Sequence, residues 1–401
     1  MKLPIYLDYH ATTPVDRRVL DVMLPYFSDS FGNPASTTHE WGWKAGEAVE
    51  DARRIIAGLV GATAREIIFT SGATESNNLA IRGCTDIKDS GRTEIVTSAI
   101  EHKSVLESCK RLEHAGWKVT FLPITPAGIV DLDAARAAIS DRTLLVSVML
   151  ANNEIGTLQP LYELSRLAHE QGALVHSDGA QAAGKVPIDV NALGIDMLSM
   201  TAHKMYGPKG CGALYVKRKL PLCPMIDGGG QERGVRSGTL NVPGIAGFGE
   251  AARLCKDEMG EEGARTRRLR ARLLAGLQAA LDGVRVNGSL EDRLPQNLHV
   301  SFENVDSEEL IVAVGDIAVS AGSACQSGKG GVSHVLQALY GTHGVPHAAA
   351  VRFGLGRFTT EDEIDYAVEK FSAVVRHLRP SARPLPLAPA PSAAAPARQA
   401  G

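Results

Sequence analysis

Residues 197–216 have the sequence MLSMTAHKMYGPKGCGALYV, and this stretch decides the fold. Two runs within it, 197–200 and 212–216, have the residue types of β-strands, and Lys204 comes just after the first run. Small residues and His203 flank Lys204, and the glycines that follow let the backbone pass close to a ligand. Because most lysines are solvated surface residues, the meaning of Lys204 depends on what the fold brings beside it.

Short strand-like runs alternate with helical segments from about residue 66 to residue 216. This alternation predicts an α/β fold in which helices cover both faces of a mostly parallel, seven-stranded sheet. Amphipathic helices are expected at 104–115 and 161–171. The strands are predicted at 66–70, 94–98, 118–122, 144–150, 173–177, 197–200 and 212–216.

The character of the sequence changes after about Met259, where an Arg- and Leu-rich helix is expected to reach Leu281. Further strands near 297–302, 317–320 and 351–354, with a last helix at 361–378, indicate a smaller α+β domain. We therefore predict four parts: an N-terminal segment (1–24) that joins the small domain, a large domain (25–258), a small C-terminal domain (259–378) and a disordered Pro/Ala-rich tail (379–401).

The composition argues against several classes of function. The chain of 401 residues has 42 basic and 45 acidic side chains, for a formal charge of −3, and neither sign forms a long run. Binding to nucleic acid or to a membrane surface therefore has no support. No window approaches the ~20 apolar residues of a spanning helix, and the N-terminus lacks an apolar stretch behind a basic cluster. We expect a cytoplasmic protein.

The six cysteines form no C-x-x-C pair, which argues against a zinc ribbon and against a disulfide framework. We therefore expect no resident metal. Five of the cysteines suit small buried positions. Cys325 differs, because residues 322–331, GSACQSGKGG, surround it with small and flexible residues that are typical of a loop.

Chemically capable side chains follow several of the predicted strands. Ligands of open α/β sheets lie outside the carboxyl ends of the strands, so these side chains should converge on one crevice. Residues 71–78, SGATESNN, open a helix whose free amides could cradle a phosphate, although the hydroxyls could equally be helix caps. His102 follows the next strand and, taken alone, could be structural.

Two further strands deliver groups that packing alone does not explain. Asn153 follows strand 144–150, and Asp178 and Gln181 follow strand 173–177. A carboxylate at a buried strand end needs a cationic partner, because an unpaired buried charge is costly. A protonated pyridine nitrogen would meet that need.

Lys204 shares the predicted crevice with Asp178, Asn153 and His102. A lysine, a carboxylate and an imidazole are the parts required by a cofactor that lysine binds as a Schiff base. This combination favours pyridoxal 5'-phosphate (PLP) on Lys204 over the alternative of a solvated surface lysine.

At this point the chain resembles the cysteine desulfurases of the NifS/IscS group, within the class V aminotransferase branch of the fold-type I PLP enzymes. The resemblance covers nearly the whole chain and ends before the Pro/Ala-rich tail. Besides the segments quoted above, its motifs are YLDYHATTP (6–14), FGNPAS (31–36), RSGT (236–239), GSAC (322–325) and VRFGLGRF (351–358).

The resemblance implies a role for each matching residue around the cofactor. Lys204 would carry PLP and later move protons on the substrate carbon, Asp178 would pair with the pyridine nitrogen, and His102 would stack on the ring. The remaining positions have cofactor or substrate contacts by the same resemblance: Ala73, Thr74, Thr201 and His203 at the phosphate, Gln181 and Asn153 near the ring oxygen, Asn153 and Arg352 at the substrate carboxylate, and Thr239 at the phosphate of the other subunit. A homodimer with shared active sites is thereby implied.

The activity that the resemblance implies is the removal of sulfur from L-cysteine. Cys325 would take the sulfur as a persulfide, alanine would leave, and a sulfur-acceptor protein, an iron–sulfur scaffold or another sulfur carrier, would receive it. Cys325 could also ligate a transferred iron–sulfur cluster. The flexible loop fits this task, because the thiol must reach the cofactor and later present sulfur outside.

Two stretches depart from the usual pattern of the group. Gly330, Gly331 and Val332 stand where Leu-Glu-Pro is usual, and the Pro/Ala-rich tail differs from the C-terminal segment that helps housekeeping members dock scaffold proteins. Near the pyridine partner, Ser177 and Gly179 replace a bulkier residue and an alanine, while Asp178 is kept. The identity of the sulfur acceptor therefore stays open.

Two alternatives remain. The first is a selenocysteine lyase or a class V aminotransferase on the same fold, against which the loop position of Cys325 argues, since transamination needs no thiol nucleophile. The second is a non-catalytic assembly scaffold, against which the retained set of Lys204, Asp178, His102 and Arg352 argues, since buried ions are costly to keep.

Overall fold

The structure, a computed structural model, describes residues 3–85, 91–320, 333–341 and 348–379. Cys325 and the Pro/Ala-rich stretch after Arg379 lie outside these ranges, so the predictions for the cysteine loop and the tail are not addressed by it. None of the helices in the described part of the chain is long and apolar enough to cross a membrane.

Helices and strands alternate through most of the described chain. The helices are α1 (Arg17–Met23), α2 (Pro25–Ser28), α3 (Glu40–Leu59), α4 (Ala73–Thr85), α5 (Lys103–His114), α6 (Leu132–Ala138), α7 (Leu161–Glu170), α8 (Val242–Ala280), α9 (Ser307–Val314), α10 (His334–Tyr340) and α11 (Glu361–Leu378). The strands are β1 (Ile5–Tyr6), β2 (Ile67–Thr70), β3 (Glu94–Ser98), β4 (Lys118–Leu122), β5 (Thr143–Ser147), β6 (Leu174–Asp178), β7 (Met197–Thr201), β8 (Gly212–Val216), β9 (Val284–Val286), β10 (Asn297–Glu303), β11 (Ile317–Ala318) and β12 (Ala348–Gly354).

The largest sheet has seven strands in the order β2-β8-β7-β6-β5-β3-β4. Strand β8 runs antiparallel to both of its neighbours, and the other pairs are parallel. The predicted α/β class with a mostly parallel seven-stranded sheet is confirmed. Because most of its strands are buried on both faces, they appear in the sequence as near-continuous apolar runs.

Helices pack on both faces of this sheet, and alternate strand residues separate the two cores. Val96 and Val146 belong to the core that contains α3, α7 and the first half of α8. Their neighbours Ile95 and Leu145 belong to the core formed with α4 and α5. This division follows from the two-residue period of a strand, which sends successive side chains to opposite faces.

A third core lies between the sheet β12-β10-β9, helix α11 and the second half of α8. Ile5 and Leu7 of the N-terminal segment are buried in this core, and β1 pairs in parallel with β11. The separate cores support the proposed division into a large and a small domain with the N-terminal segment joined to the small one.

Among the predicted boundaries that are wrong is the start of β12, which lies at Ala348 and not near 351. Helix α8 begins at Val242, where Asn241 accepts a hydrogen bond from the Gly244 amide, and not near Met259. Its first half is rich in Gly and Ala, which hides the helical pattern but permits close packing, since a Cβ on Gly249 would lie 2.7 Å from Ala52. Strand β5 ends at Ser147, short of the predicted 150, where the chain turns into the site.

Candidate active site

The carboxyl ends of β3, β5, β6 and β7 surround one cavity of about 520 Å³. The convergence at this edge of the sheet follows from the parallel topology. The cavity is lined by ten of the residues singled out from the sequence: Ala73, Thr74, His102, Asn153, Asp178, Gln181, Thr201, His203, Lys204 and Arg352.

One end of the cavity is suited to an anion. Helix α4 begins at Ala73, so the unpaired amides of its first turn lie beside Lys209 and the hydroxyl of Thr201. Strand β8 reaches this loop because Gly212 has no side chain: a Cβ there would lie 2.5 Å from the Gly72 Cα. A phosphate group fits this combination of amides, a hydroxyl and a cation.

A buried carboxylate lies elsewhere in the cavity, at the end of β6. Asp178 is 5% exposed and accepts hydrogen bonds from the Asn77 side-chain amide at 2.7 Å and from the Ala180 N–H at 2.9 Å. Both donors are neutral, so they orient the carboxylate without cancelling its charge. A ligand with a protonated ring nitrogen would complete this site.

His102 is held by the first turn of α5. The Ser104 N–H and the Ser104 hydroxyl both lie within hydrogen-bond distance of Nδ1, at 3.2 and 2.8 Å. Because the amide can only donate, Nδ1 is unprotonated and the proton of the neutral ring is on Nε2. Burial lowers the pKa of His102, so the ring is neutral and can pack against an aromatic ligand.

Lys204 lies in a turn after β7 that is fixed on both sides. The Thr13 N–H donates to the His203 carbonyl at 2.9 Å, and the Tyr206 N–H donates to the Thr13 hydroxyl at 2.9 Å. Tyr206 has a φ of 63°, a left-handed conformation that bulky residues adopt only where the surroundings impose it. The hydrogen bonds with Thr13 on either side of Lys204 therefore fix the backbone position of this lysine.

Arg352, on β12, enters the cavity from the small domain and is 1% exposed. Its Nη2 pairs with Asp8 at 2.7 Å, and its Nη1 donates to the Asn153 carbonyl at 2.8 Å. The Nε–H is buried and has no hydrogen-bond partner within the described ranges. The guanidinium is thus held in place, and because Arg352 lines the cavity it can meet an incoming acceptor such as a carboxylate.

Two buried glutamates beside the site tie α10, the helix that follows the cysteine segment, to the large domain. Ser333 donates to Glu154, and the His334 imidazole lies 3.0 Å from the Glu101 carbonyl oxygen. Burial raises the pKa of Glu154 and raises that of Glu101 to about 8. Sequence analysis assigned these carboxylates no role, although each is the immediate neighbour of a predicted site residue.

Among the predicted site residues that the structure describes, Thr239 does not line this cavity. Thr239 lines a second cavity of about 300 Å³ together with Phe31 and Pro34. Cys325 lies outside the described residues. Lining residues that sequence analysis did not select include His10, Thr12 and Lys209. The signal for them was their position inside two quoted motifs, 6–14 and 197–216.

The chain belongs to the class-V aminotransferase family, whose model matches residues 5–367. Within that family it is similar to a protein named cysteine desulfurase IscS from Anaeromyxobacter sp. (strain Fw109-5). The two are 53% identical over 381 residues, which is 94% of each chain. The resemblance to the NifS/IscS group is confirmed.

Solved structures point the same way. A NifS-like protein superposes with a TM-score of 0.87 at 37% identity, and the match covers 93% of this chain and all of the other. SspA in complex with cysteine superposes with a TM-score of 0.76 at 36% identity, over 89% of this chain and all of SspA.

Proposed function

We propose that this chain is a PLP-dependent cysteine desulfurase that converts L-cysteine to L-alanine and leaves a persulfide on Cys325. The observation that carries the proposal is the joint presence of Lys204, Asp178 and Arg352 in one cavity. A lysine, a carboxylate with neutral partners and a guanidinium fixed at the cavity wall match the aldehyde and ring nitrogen of PLP and the carboxylate of an amino acid.

The residues would divide the work of binding. Lys204 would hold the cofactor covalently, Asp178 would keep its ring nitrogen protonated, and the start of α4 with Thr201 would hold its phosphate. His102 would pack on the ring. When bound, PLP supplies an electron sink that acidifies the substrate α-proton.

The substrate would be oriented by Arg352 and Asn153, and its α-proton would be moved by the amine of Lys204. The Cys325 thiolate would then attack the substrate sulfur, forming an S–S bond while the carbon–sulfur bond breaks. The electron pair of the broken bond stays with carbon, which takes up a proton and leaves as alanine. The solved complex of SspA with cysteine supports an amino-acid thiol as the substrate class.

A homodimer with shared sites is part of the proposal. Phe31 and Trp41 stack at 5.0 Å on the surface, where they are 64% and 49% exposed. Phe31 also lines the second cavity, beside Thr239. Exposed stacked aromatics are typical of interfaces, so this face would pack on a second copy and carry Thr239 to the partner's phosphate.

The persulfide sulfur would pass to an acceptor protein, either an iron–sulfur scaffold or another sulfur carrier. A cytoplasmic location, where thiols stay reduced, is included in the proposal. The iron–sulfur scaffold is favoured by the name of the curated relative, cysteine desulfurase IscS.

Production of alanine and sulfide from L-cysteine, with a thiol reductant present, tests the proposal. The wild type should release the two products in equal amounts, and Cys325→Ser should lose both by about two orders of magnitude or more, because the attacking thiolate is gone. Cys223→Ser, at a partly exposed cysteine away from the cavity, is the matched control and should retain activity. Unchanged output from Cys325→Ser would remove that residue from its role.

The same assay separates the alternatives. A protein that takes up PLP and forms a keto acid from an amino donor would be an aminotransferase, and one that acts on L-selenocysteine alone would be a selenocysteine lyase. Lack of PLP uptake by the wild type, with no product, would favour the non-catalytic scaffold.

A further inference from the structure

His10 joins three separate parts of the chain beside the cavity. It belongs to the N-terminal segment, is 2% exposed and lines the cavity. Its Nδ1 lies 2.9 Å from Oε1 of Gln181, which follows β6, and its Nε2 lies 3.0 Å from Nδ2 of Asn297, at the start of β10. The position of the proton on this ring therefore decides whether the oxygen or the nitrogen of the Gln181 amide faces Nδ1.

The orientation of the Asn297 amide is determined by partners that have a single role. Its Nδ2 donates to the Glu154 carbonyl at 3.0 Å, and its Oδ1 accepts from Nη1 of Arg293 at 3.0 Å. A carbonyl can only accept and a guanidinium can only donate, so the amide cannot be reversed. Nδ2 of Asn297 must therefore be the donor to Nε2 of His10.

The tautomer of His10 follows from this contact. Since Nε2 accepts, the proton of the neutral ring is on Nδ1, which donates to Oε1 of Gln181. Burial lowers the pKa of His10 to about 3, and the positive charge of Arg352 acts in the same direction. With this pKa the ring is neutral near pH 7 and keeps this one tautomer.

The Gln181 amide is fixed at both ends by the same residue. Its Nε2 donates to the His10 carbonyl at 3.1 Å, while its Oε1 accepts from the ring. Each contact excludes the reversed amide. Reversal would place Oε1 against the His10 carbonyl oxygen and the Nε2 amino group against the Nδ1–H of the ring, and both pairs repel. The second N–H of Nε2 has no recorded acceptor within the described ranges, and Gln181 lines the cavity.

We propose that His10 is a positioning residue that holds the Gln181 amide with its nitrogen available to the ring oxygen of PLP. Arg293 orients the Asn297 amide, and Asn297 in turn fixes the tautomer of His10. This inference rests on the proposed function. A hydrogen-bond donor at that oxygen stabilises its negative form, whereas a reversed amide would present an acceptor and repel it. The amide orientation is thereby set outside the cavity and does not depend on the ligand.

The test compares PLP-loaded wild type with His10→Leu, which cannot donate to Gln181. The affinity for PLP should fall about tenfold, because a charge-assisted hydrogen bond is lost or replaced by repulsion. The midpoint of the pH titration of the visible absorption should rise by about one unit, since the less stabilised oxygen keeps its shared proton to higher pH. His10→Asn, whose Nδ2 can occupy the place of Nδ1, should restore most of both values.

A second variant tests the relay from its far end. Asn297→Leu cannot donate to Nε2 of His10, so the contact that keeps the ring proton on Nδ1 is lost and the donor to Oε1 of Gln181 is no longer fixed. The titration midpoint should move in the same direction as in His10→Leu. The control is His299→Leu, which removes another fully buried imidazole, bonded to Asn287 rather than Gln181, and should leave the midpoint unchanged.

The outcomes for the two proposals are distinct. A wild type that does not bind PLP refutes the proposed function and with it this inference. A wild type that binds PLP, together with unshifted midpoints in folded His10→Leu and Asn297→Leu, refutes the role of His10 alone. An equal shift in His299→Leu would show a general packing effect and would also overturn it.

Discussion

Two largely enclosed carboxylates, Asp178 at 5% exposure and Glu262 with 12% of its side chain exposed, differ in what surrounds them. Glu262 accepts from Lys185 Nζ and from the Tyr206 hydroxyl, both at 2.8 Å, and from Arg357 Nε at 3.0 Å. The recorded donors to Asp178 are an amide side chain and a backbone N–H, both neutral. A buried charge that the protein pairs internally serves the fold, while one that it only orients is available to a ligand.

The pKa shifts follow the same division. Burial would raise the pKa of Glu262, but Lys185 and Arg357 outweigh it and hold the pKa at about 2. Beside the cavity, burial dominates: it lowers the pKa of His203 to about 4, with help from Lys204, and raises that of Glu101 to about 8. Glu262 and its partners therefore keep their charges, whereas His203 and Glu101 near the cavity tend towards neutrality.

The largest expected effect is on activity, from Asp178→Asn. The variant keeps the size of the side chain but cannot keep a ring nitrogen protonated, so kcat for L-cysteine should fall by about two to three orders of magnitude. The unfolding free energy of the PLP-free protein should change little, because the substitution affects hydrogen bonds from neutral donors and breaks no ion pair. Steady-state kinetics and urea unfolding give the two values.

The matched control is Asp196→Asn, near the opposite end of the neighbouring strand. Asp196 is 3% exposed and pairs with Lys217 at 2.8 Å, so its loss should lower stability and leave kcat unchanged. The comparison breaks down if Asp178→Asn proves the less stable protein and retains its turnover.

Glu262→Gln should have the converse effect, on stability. The change leaves Lys185 and Arg357 without their shared partner, which should cost about 3 kcal/mol of unfolding free energy. Glu258→Gln, on the same helix but 33% exposed at its side chain, should cost less than about 1 kcal/mol. Equal costs for the two variants would contradict the view that internal pairing matters at Glu262.

The stability contributed by Glu262 should also depend on pH. Its folded pKa of about 2 lies below the ordinary value of 4.5, so the contribution is present above pH 4.5 and is lost as the pH falls towards 2. In Glu262→Gln this part of the acid sensitivity should be missing, which denaturation curves measured at a series of pH values would reveal.

Local sequence carries enough information for much of the fold and part of the site. Strand β8 was predicted at its observed bounds, because a buried apolar run bounded by glycine has few other interpretations. Asp178 and Asn153 could be selected because polar side chains that directly follow buried strands must meet at one edge of the sheet.

Contacts between distant residues could not be predicted in this way. His10 and Gln181 are 171 positions apart, and neither has a local pattern that indicates the other. The start of α8 was missed because its Gly-rich first half suits close packing on α3 and lacks the usual helical composition. Tertiary packing determines both, and local patterns report on it only indirectly.

The smallest expected effect, and one of opposite sign, comes from Glu101→Gln. Glu101 is fully buried; the Ser98 hydroxyl lies 2.5 Å from its carboxyl group, and the Met149 N–H donates to it at 2.9 Å. Its folded pKa of about 8 lies above the ordinary 4.5, so the stability it contributes is present below pH 4.5 and is lost as the pH rises to 8. Glutamine resembles the protonated acid, so the variant should be more stable than the wild type by about 2 kcal/mol at pH 8.5 and by less at pH 5.

Glu94→Gln is the control for this sign. Glu94 is 4% exposed but pairs with Arg142 at 2.7 Å, so its replacement should destabilise the protein at both pH values. Urea unfolding of the two variants at pH 5 and pH 8.5 therefore compares an unpaired with a paired buried glutamate. If Glu101→Gln also destabilised the protein at pH 8.5, Glu101 would have to be ionised and paired in the folded state. Glu101 would then resemble Glu262 and not the neutral groups beside the cavity.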